Sequence, residues 1–266
     1  MKRKSSLKRR LGEKDRLRRG IYVLPNLCTT LNLFCGFLAI IFSMEGKFST
    51  AAFSIIIAGM FDGLDGKIAR ATGATSQFGV EYDSLADLIS FGLAPGLMMY
   101  LWILSPLGRV GWLAAFLFTV CGALRLARFN TQTGSISSDH FTGLPIPAAA
   151  GMLAGTVLFA HKLGFADNLN PILMLLPVYG LSFLMVSNIR YISSKKSFIF
   201  RRMNFNALVG VILVFVFIVA QPAIALFLIG FVYVASGPIL ALRHRKMDLE
   251  AQDEVTEGDE KRPRTV

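Results

Sequence analysis

Residues 54–70 read SIIIAGMFDGLDGKIAR, and an apolar run passes without a break into Asp62, Asp65, Lys67 and Arg70. Ionisable side chains in a membrane helix are expensive unless they are paired, wet or metal-bound, so such a cluster is first a functional hypothesis. Whether the run is a membrane span decides the fold.

Composition says that it is. The chain has 266 residues, of which 53% are hydrophobic and 17% charged, and its mean hydropathy is +0.54. A soluble chain of this length carries more charge. About 20 apolar residues cross a bilayer as a helix. Apolar runs between breaks fall at 27–44, 48–66, 80–104, 110–128, 146–163, 171–188, 206–220 and 222–242. The expected fold is therefore an all-α integral membrane protein with about eight transmembrane helices. An N-terminal interfacial helix is expected before them, with Leu7, Leu11 and Leu17 on its apolar side.

The net charge of +11 would suit a nucleic-acid ligand, but its placement does not. All but three of the 28 Lys and Arg residues fall at the two ends or in alternate loops, the exceptions being Lys47, Arg109 and Lys162. That is the positive-inside bias of a membrane protein with both termini in the cytoplasm. It puts DGLDGKIAR at the cytoplasmic end of the second span and leaves nucleic acid out of the expected partners. Residues 1–24 read as a basic cytoplasmic or interfacial segment, which has no cleavage site of the secretory kind and suits anionic lipid. Residues 25–246 read as one membrane domain and 247–266 as a disordered cytoplasmic tail. Cys28, Cys35 and Cys121 form neither a metal pattern nor a disulfide framework. His140 and His161 are given no catalytic role.

Between Gly46 and Ser138 only five acidic residues occur: Asp62, Asp65, Glu81, Asp83 and Asp87. Asp62 and Asp65 are three apart and Asp83 and Asp87 four apart, so on helices each pair shares a face. The Gly-, Ser- and Thr-rich stretch between the pairs turns the chain back. Four carboxylates then aim at one point, and hard divalent cations such as Mg²⁺ or Mn²⁺ relieve their repulsion. Gly59, Gly63 and Gly66 lie on one helix face, which serves either close helix packing or the approach of a flat ligand. Arg70 suits a phosphate.

The spacing Asp62-x2-Asp65-Gly66-x2-Ala69-Arg70-x8-Gly79-x3-Asp83-x3-Asp87 resembles, without departure, the pattern of the CDP-alcohol phosphatidyltransferases. The resemblance implies an integral membrane enzyme with a six-helix catalytic core, usually a homodimer. Two divalent cations, Mg²⁺ or Mn²⁺, are implied as cofactors. A phosphatidyl group passes from CDP-diacylglycerol to an alcohol, and CMP leaves. By the same resemblance Asp62, Asp65, Asp83 and Asp87 are metal ligands, and Asp87 also takes the proton of the incoming hydroxyl. Gly66, Ala69 and Gly79 form the small surface beside the cytidine, and Arg70 meets the diphosphate.

Two further stretches bear on the acceptor. Asn26, Thr29 and Asn32 recur every three residues as a polar stripe on the first span, facing either a neighbouring helix or the nucleotide. Asn26 and Thr29 join the candidate CDP-diacylglycerol contacts. After the fourth span come RLARFN (125–130) and GLPIP (143–147), which look like the phosphatidylserine synthases of this superfamily. That implies L-serine as acceptor, with Arg125, Arg128 and Asn130 as candidate serine contacts. The same chemistry with glycerol 3-phosphate, inositol phosphate or choline is the alternative.

The phospholipase-D type of synthase needs His-x-Lys-x4-Asp twice; His244-Arg-Lys246 begins it once and Ala251 stands where Asp is required. A cation transporter would also hold intramembrane acids, but no inverted repeat is visible. No Ser, Cys or His sits in a nucleophile arrangement, so direct attack is expected.

Overall fold

The computed structural model describes residues 2–73, 76–132, 141–191, 210, 213 and 216–260. Nearly all of this is helix. Helix α1 is Lys2–Met44, α2 Phe48–Thr72, α4 Arg109–Gln132, α5 Ile146–Leu163, α6 Pro171–Val186 and α7 Pro222–Glu260. The third rod, α3, is Gln77–Leu107. It is α-helical over Gln77–Asp87 and Ala94–Met99, π-helical over Leu88–Leu93 and Tyr100–Leu104, and 3₁₀ over Ser105–Leu107. Pro95 and Pro106 have no N–H to return to the carbonyl four residues back. The wider turn ahead of each takes up the mismatch, with Ala94 N–H reaching Ile89 O and Ser105 N–H reaching Tyr100 O.

Among the described residues six helices are long and apolar enough to cross a membrane, running Val23–Met44, Phe48–Thr72, Gln77–Leu107, Arg109–Thr131, Ile146–Leu163 and Pro222–Ala241. The apolar helix Pro171–Val186 is shorter. The span expected at 206–220 lies largely outside the described residues, as do the basic cluster from 192 to 202 and His140. Large apolar side chains face outward, including Phe34, Phe37, Met60, Phe116 and Phe183, each more than half exposed. Among helices of this length that surface suits acyl chains, and the chain is an all-α membrane protein.

Two expectations change at the ends. The basic segment is the first half of α1 and runs without interruption into the first span. The tail expected to be disordered from 247 is helical as far as Glu260. The reason is local: Met247 to Glu257 holds neither Gly nor Pro and is rich in helix-forming Glu, Leu, Ala and Gln.

Helix α5 is the centre of the bundle. Ala149, Ala150, Leu153, Ala154 and Val157 are all fully buried, and α2 and α7 pack against it. Helix α1 lies along α2 and also meets α3, while α4 packs on α6. A two-stranded antiparallel ribbon, β1 Phe141–Thr142 and β2 Arg190–Tyr191, joins the segment before α5 to the segment after α6. Gly143 N–H donates to Ile189 O at 2.8 Å and Leu144 N–H to Leu184 O at 3.0 Å, extending the tie.

Candidate active site

Helix α2 ends at Gly73, whose φ of 63° is left-handed and whose N–H returns to Ala69 O. A residue with a Cβ would be strained there. Ser76 then opens α3 in extended conformation, its Oγ accepting from Gly79 N–H at 3.0 Å. The short turn brings the two acidic pairs together. Ligand oxygens of Asp62, Asp83 and Asp87 lie within 4.8 Å of one another. Asp65 stands outside that trio, one turn along α2. Asp65 and Asp87 are 5% and 7% exposed, so these charges are almost out of water.

Helix α1 holds two of the four. Thr29 Oγ1 donates to Asp65 Oδ2 at 2.9 Å. The same hydroxyl lies 3.2 Å from Pro25 O, but it has one proton, and the shorter bond to a carboxylate is the stronger. Asn32 Nδ2 donates to Asp87 Oδ1 at 2.9 Å. Asn32 is fixed in turn by Ser90, whose Oγ donates to Asn32 O at 3.0 Å. The polar stripe thus resolves into grips on the aspartates. Asn26, further out, meets the start of α3: a Cβ on Gly79 would come within 3.4 Å of Asn26 Oδ1 and 3.1 Å of Ser76 Oγ.

No described cation forms an ion pair with the cluster. The single ion pair among the described residues is Lys47–Glu45, at 2.8 Å on the surface. Asp83 Oδ1 is buried with no hydrogen-bond partner. Converging hard oxygen donors, one of them orphaned, with no counter-charge within ion-pair reach, fit a divalent cation.

The expected nucleotide surface lies on the same stretch of α2. A Cβ on Gly66 would sit 3.5 Å from Arg70 Nη1, so the exposed guanidinium folds back over that glycine. Ala69 follows at half exposure. Gly63 has nothing within 4 Å of a built Cβ, and Gly59 meets only the Phe91 ring, at 3.8 Å. The glycine stripe is not a close helix contact among the described residues.

Beside the aspartates opens a cavity of about 440 Å³ lined by Asp62, Asp83, Asp87, Arg125, Asn130 and Tyr233, among others. The two arginines of RLARFN part company. Arg125 faces the cavity, with Nε buried and unpartnered. Arg128 donates from Nη2 to Asn188 Oδ1 at 2.7 Å and does not line the cavity. Asn130 Nδ2 donates to Ser84 Oγ at 2.9 Å, linking α4 to α3. Pro145 and Pro147 of the GLPIP turn complete the lining.

Sequence reasoning missed Ser90 and Tyr233 as site residues and did not foresee what Asn32 holds. Asn32 was visible in its three-residue recurrence; Ser90 and Tyr233 stand alone in apolar runs and give no signal.

Comparison of the sequence with known proteins gives a family and named relatives. The sequence profile described as CDP-alcohol phosphatidyltransferase matches residues 22–186. A Helicobacter pylori (strain ATCC 700392 / 26695) protein named CDP-diacylglycerol–serine O-phosphatidyltransferase is 42% identical over 176 residues, covering 66% of this chain and 74% of that one. A Bacillus subtilis (strain 168) protein of the same name is 37% identical over 173 residues, 65% of this chain and 92% of its own. The archaetidylserine synthase of Methanothermobacter thermautotrophicus is 39% identical over 170 residues, 63% and 69% of the two chains.

Proposed function

The chain belongs to the CDP-alcohol phosphatidyltransferase family, and from that premise we propose that it transfers the phosphatidyl group of CDP-diacylglycerol to the hydroxyl of L-serine. The products are phosphatidylserine and CMP. The observation that carries this reading is the meeting of Asp62, Asp83 and Asp87, with no ion-pair partner among the described residues, in a cavity that Arg125 also lines.

Each residue has a part. Arg70, with Gly66, Ala69 and Gly79, receives the diphosphate and the nucleotide, and Asn26 and Thr29 border that surface. Asp62, Asp65, Asp83 and Asp87 would hold divalent cations; the family is metal-dependent, and two ions, Mg²⁺ or Mn²⁺, suit this donor set. Bound there, such ions neutralise diphosphate charge and favour departure of CMP. Arg125 and Asn130 hold the amino acid, and Arg128 positions the Asn188 segment beside them. Asp87, turned by Asn32, accepts the proton of the serine hydroxyl as its oxygen bonds to the phosphorus that carries diacylglycerol. The bond from that phosphorus to the CMP oxygen breaks, and CMP leaves with the electron pair. Attack is direct.

The enzyme acts as a homodimer in the membrane of a bacterium or archaeon, with the site and both termini facing the cytoplasm; the distribution of Lys and Arg supports that orientation. Residues 25–246 form the catalytic membrane domain, preceded by the basic segment 1–24.

The test is an acceptor screen with purified protein, CDP-diacylglycerol, Mn²⁺ or Mg²⁺, and labelled alcohols. L-serine should give phosphatidylserine and one CMP per product. Product with glycerol 3-phosphate, inositol phosphate or choline but not serine would refute the acceptor and keep the chemistry. Absence of CMP with every acceptor would remove the enzyme reading.

A further inference from the structure

Helix α7 begins at Pro222, beyond the stretch 22–186 that the family profile matches. It nevertheless puts Tyr233 into the wall of the catalytic cavity, together with Asp62, Asp83 and Asp87. We propose that Tyr233 is an acceptor-specificity residue, sharing with Arg125 the carboxylate of the incoming amino acid and closing the acceptor pocket on the side of α7. The proposal rests on the serine-transfer reading above and goes beyond it.

Three observations support it. Tyr233 and Arg125 line the same cavity, and they lie close enough to interact electrostatically. Arg125 Nε is buried without a hydrogen-bond partner. A buried guanidinium N–H left unbonded is costly, and an acidic oxygen supplied by substrate would satisfy it. A phenol beside it adds a second donor suited to the same carboxylate.

Second, Tyr233 is braced. Its ring lies against that of Tyr191, tilted by 34° with centroids 5.7 Å apart. Tyr191 is itself 2% exposed, and its hydroxyl donates to Val234 O at 3.3 Å. A Cβ on Gly237 would collide with the Tyr191 ring, so that glycine lets the ring lie against α7. Tyr191 stands on β2, paired with Phe141 of β1, and the next residues after β1 are the GLPIP turn that lines the cavity. One ribbon thus fixes both Tyr233 and that turn. A side chain held this firmly can exclude a competitor as well as bind a substrate.

Third, Tyr233 borders more than the catalytic cavity. It also lines a separate apolar cavity of about 500 Å³ with Phe217, Ile229 and Val232. A position between a polar and an apolar space suits an amphipathic aromatic.

The experiment compares the whole 266-residue chain with Tyr233→Phe in purified form, a change that keeps the ring and deletes the hydroxyl. The KM for L-serine should rise about tenfold, as expected for loss of a hydrogen bond to a charged group, while the KM for CDP-diacylglycerol stays within about twofold. Ethanolamine, used as a competitor, has neither carboxylate nor carbonyl for Tyr233 to bind, and its inhibition constant should be the same in both proteins. An unchanged serine KM would overturn the proposal. So would a parallel rise for serine and ethanolamine, since that is how a merely structural role behaves. Wild-type transfer to serine in the same assay separates the two readings: without it both fail, and with it but no Tyr233 effect only this one fails.

Discussion

Asn32 and Asp87 are 55 residues apart in sequence and joined by one hydrogen bond of 2.9 Å, from the amide Nδ2 to the carboxylate Oδ1. Because Asn32 donates, it favours the acceptor form of Asp87 and fixes which oxygen is left for other work. Asn32→Ala should lower kcat about tenfold with little change in either KM, as an interaction exerted on the base would. In an Asp87→Asn background the same substitution should cost almost nothing. Equal losses in both backgrounds would mean that Asn32 acts on packing and not through Asp87.

Asp87 itself is the least replaceable residue in the proposed mechanism. Asp87→Asn keeps size and burial and removes the basic oxygen. Turnover should fall by roughly 10²–10⁴-fold, the usual worth of a positioned base, and further to the extent that Asp87 also holds metal. Thermal unfolding in detergent should show an intact fold. Near-normal turnover in a folded Asp87→Asn protein would remove the general-base assignment.

Thr29 tests the other grip. Its hydroxyl turns Asp65 Oδ2 at 2.9 Å, and groups that orient a ligating carboxylate typically change metal affinity by about 10–100-fold. Thr29→Val is close in shape and cannot donate. The Mn²⁺ concentration for half-maximal activity should rise by that range, while excess Mn²⁺ restores most of the rate. Loss of activity that no Mn²⁺ concentration repairs would place Thr29 elsewhere in the mechanism.

The aspartates were legible because lipid makes them conspicuous. An acid within an apolar run has few bland explanations, and spacings of three and four are enough to define a helix face. The spans were legible for the same reason, since bilayer thickness sets their length. What the sequence hid was tertiary. Nothing local separates Arg125, which faces the cavity, from Arg128, which reaches Asn188; the two are three apart on one helix, and only the position of α6 distinguishes them. Tyr233 lies 146 residues from Asp87 in an ordinary apolar run, and it reaches the site because α7 packs on α5. The glycine stripe left two readings open for the same reason: spacing shows where small residues share a face, and the neighbour, or its absence, is a property of the fold.

That last point yields a contrast between two glycines. A Cβ on Gly36 would come to 2.7 Å from Ser90 Cα and overlap the Ser90 hydroxyl. The backbone there is buried and cannot simply swing aside, so Gly36→Ala should cost about 1–3 kcal/mol, as overpacking does. The damage should not stop at stability. Ser90 Oγ holds Asn32 O at 3.0 Å, and Asn32 holds Asp87, so pushing α1 from α3 disturbs the base. Gly63→Ala meets nothing within 4 Å and replaces glycine in a helix interior, where alanine is favoured by about 1 kcal/mol. Thermal unfolding in detergent should therefore show Gly36→Ala lowered and Gly63→Ala unchanged or raised. If Gly63→Ala keeps its stability but raises the KM for CDP-diacylglycerol, the open face of α2 is where the liponucleotide lies. A Gly36→Ala protein as stable and active as the parent would mean that α1 and α3 are not in the contact described, and the chain from Ser90 through Asn32 to Asp87 would go with it.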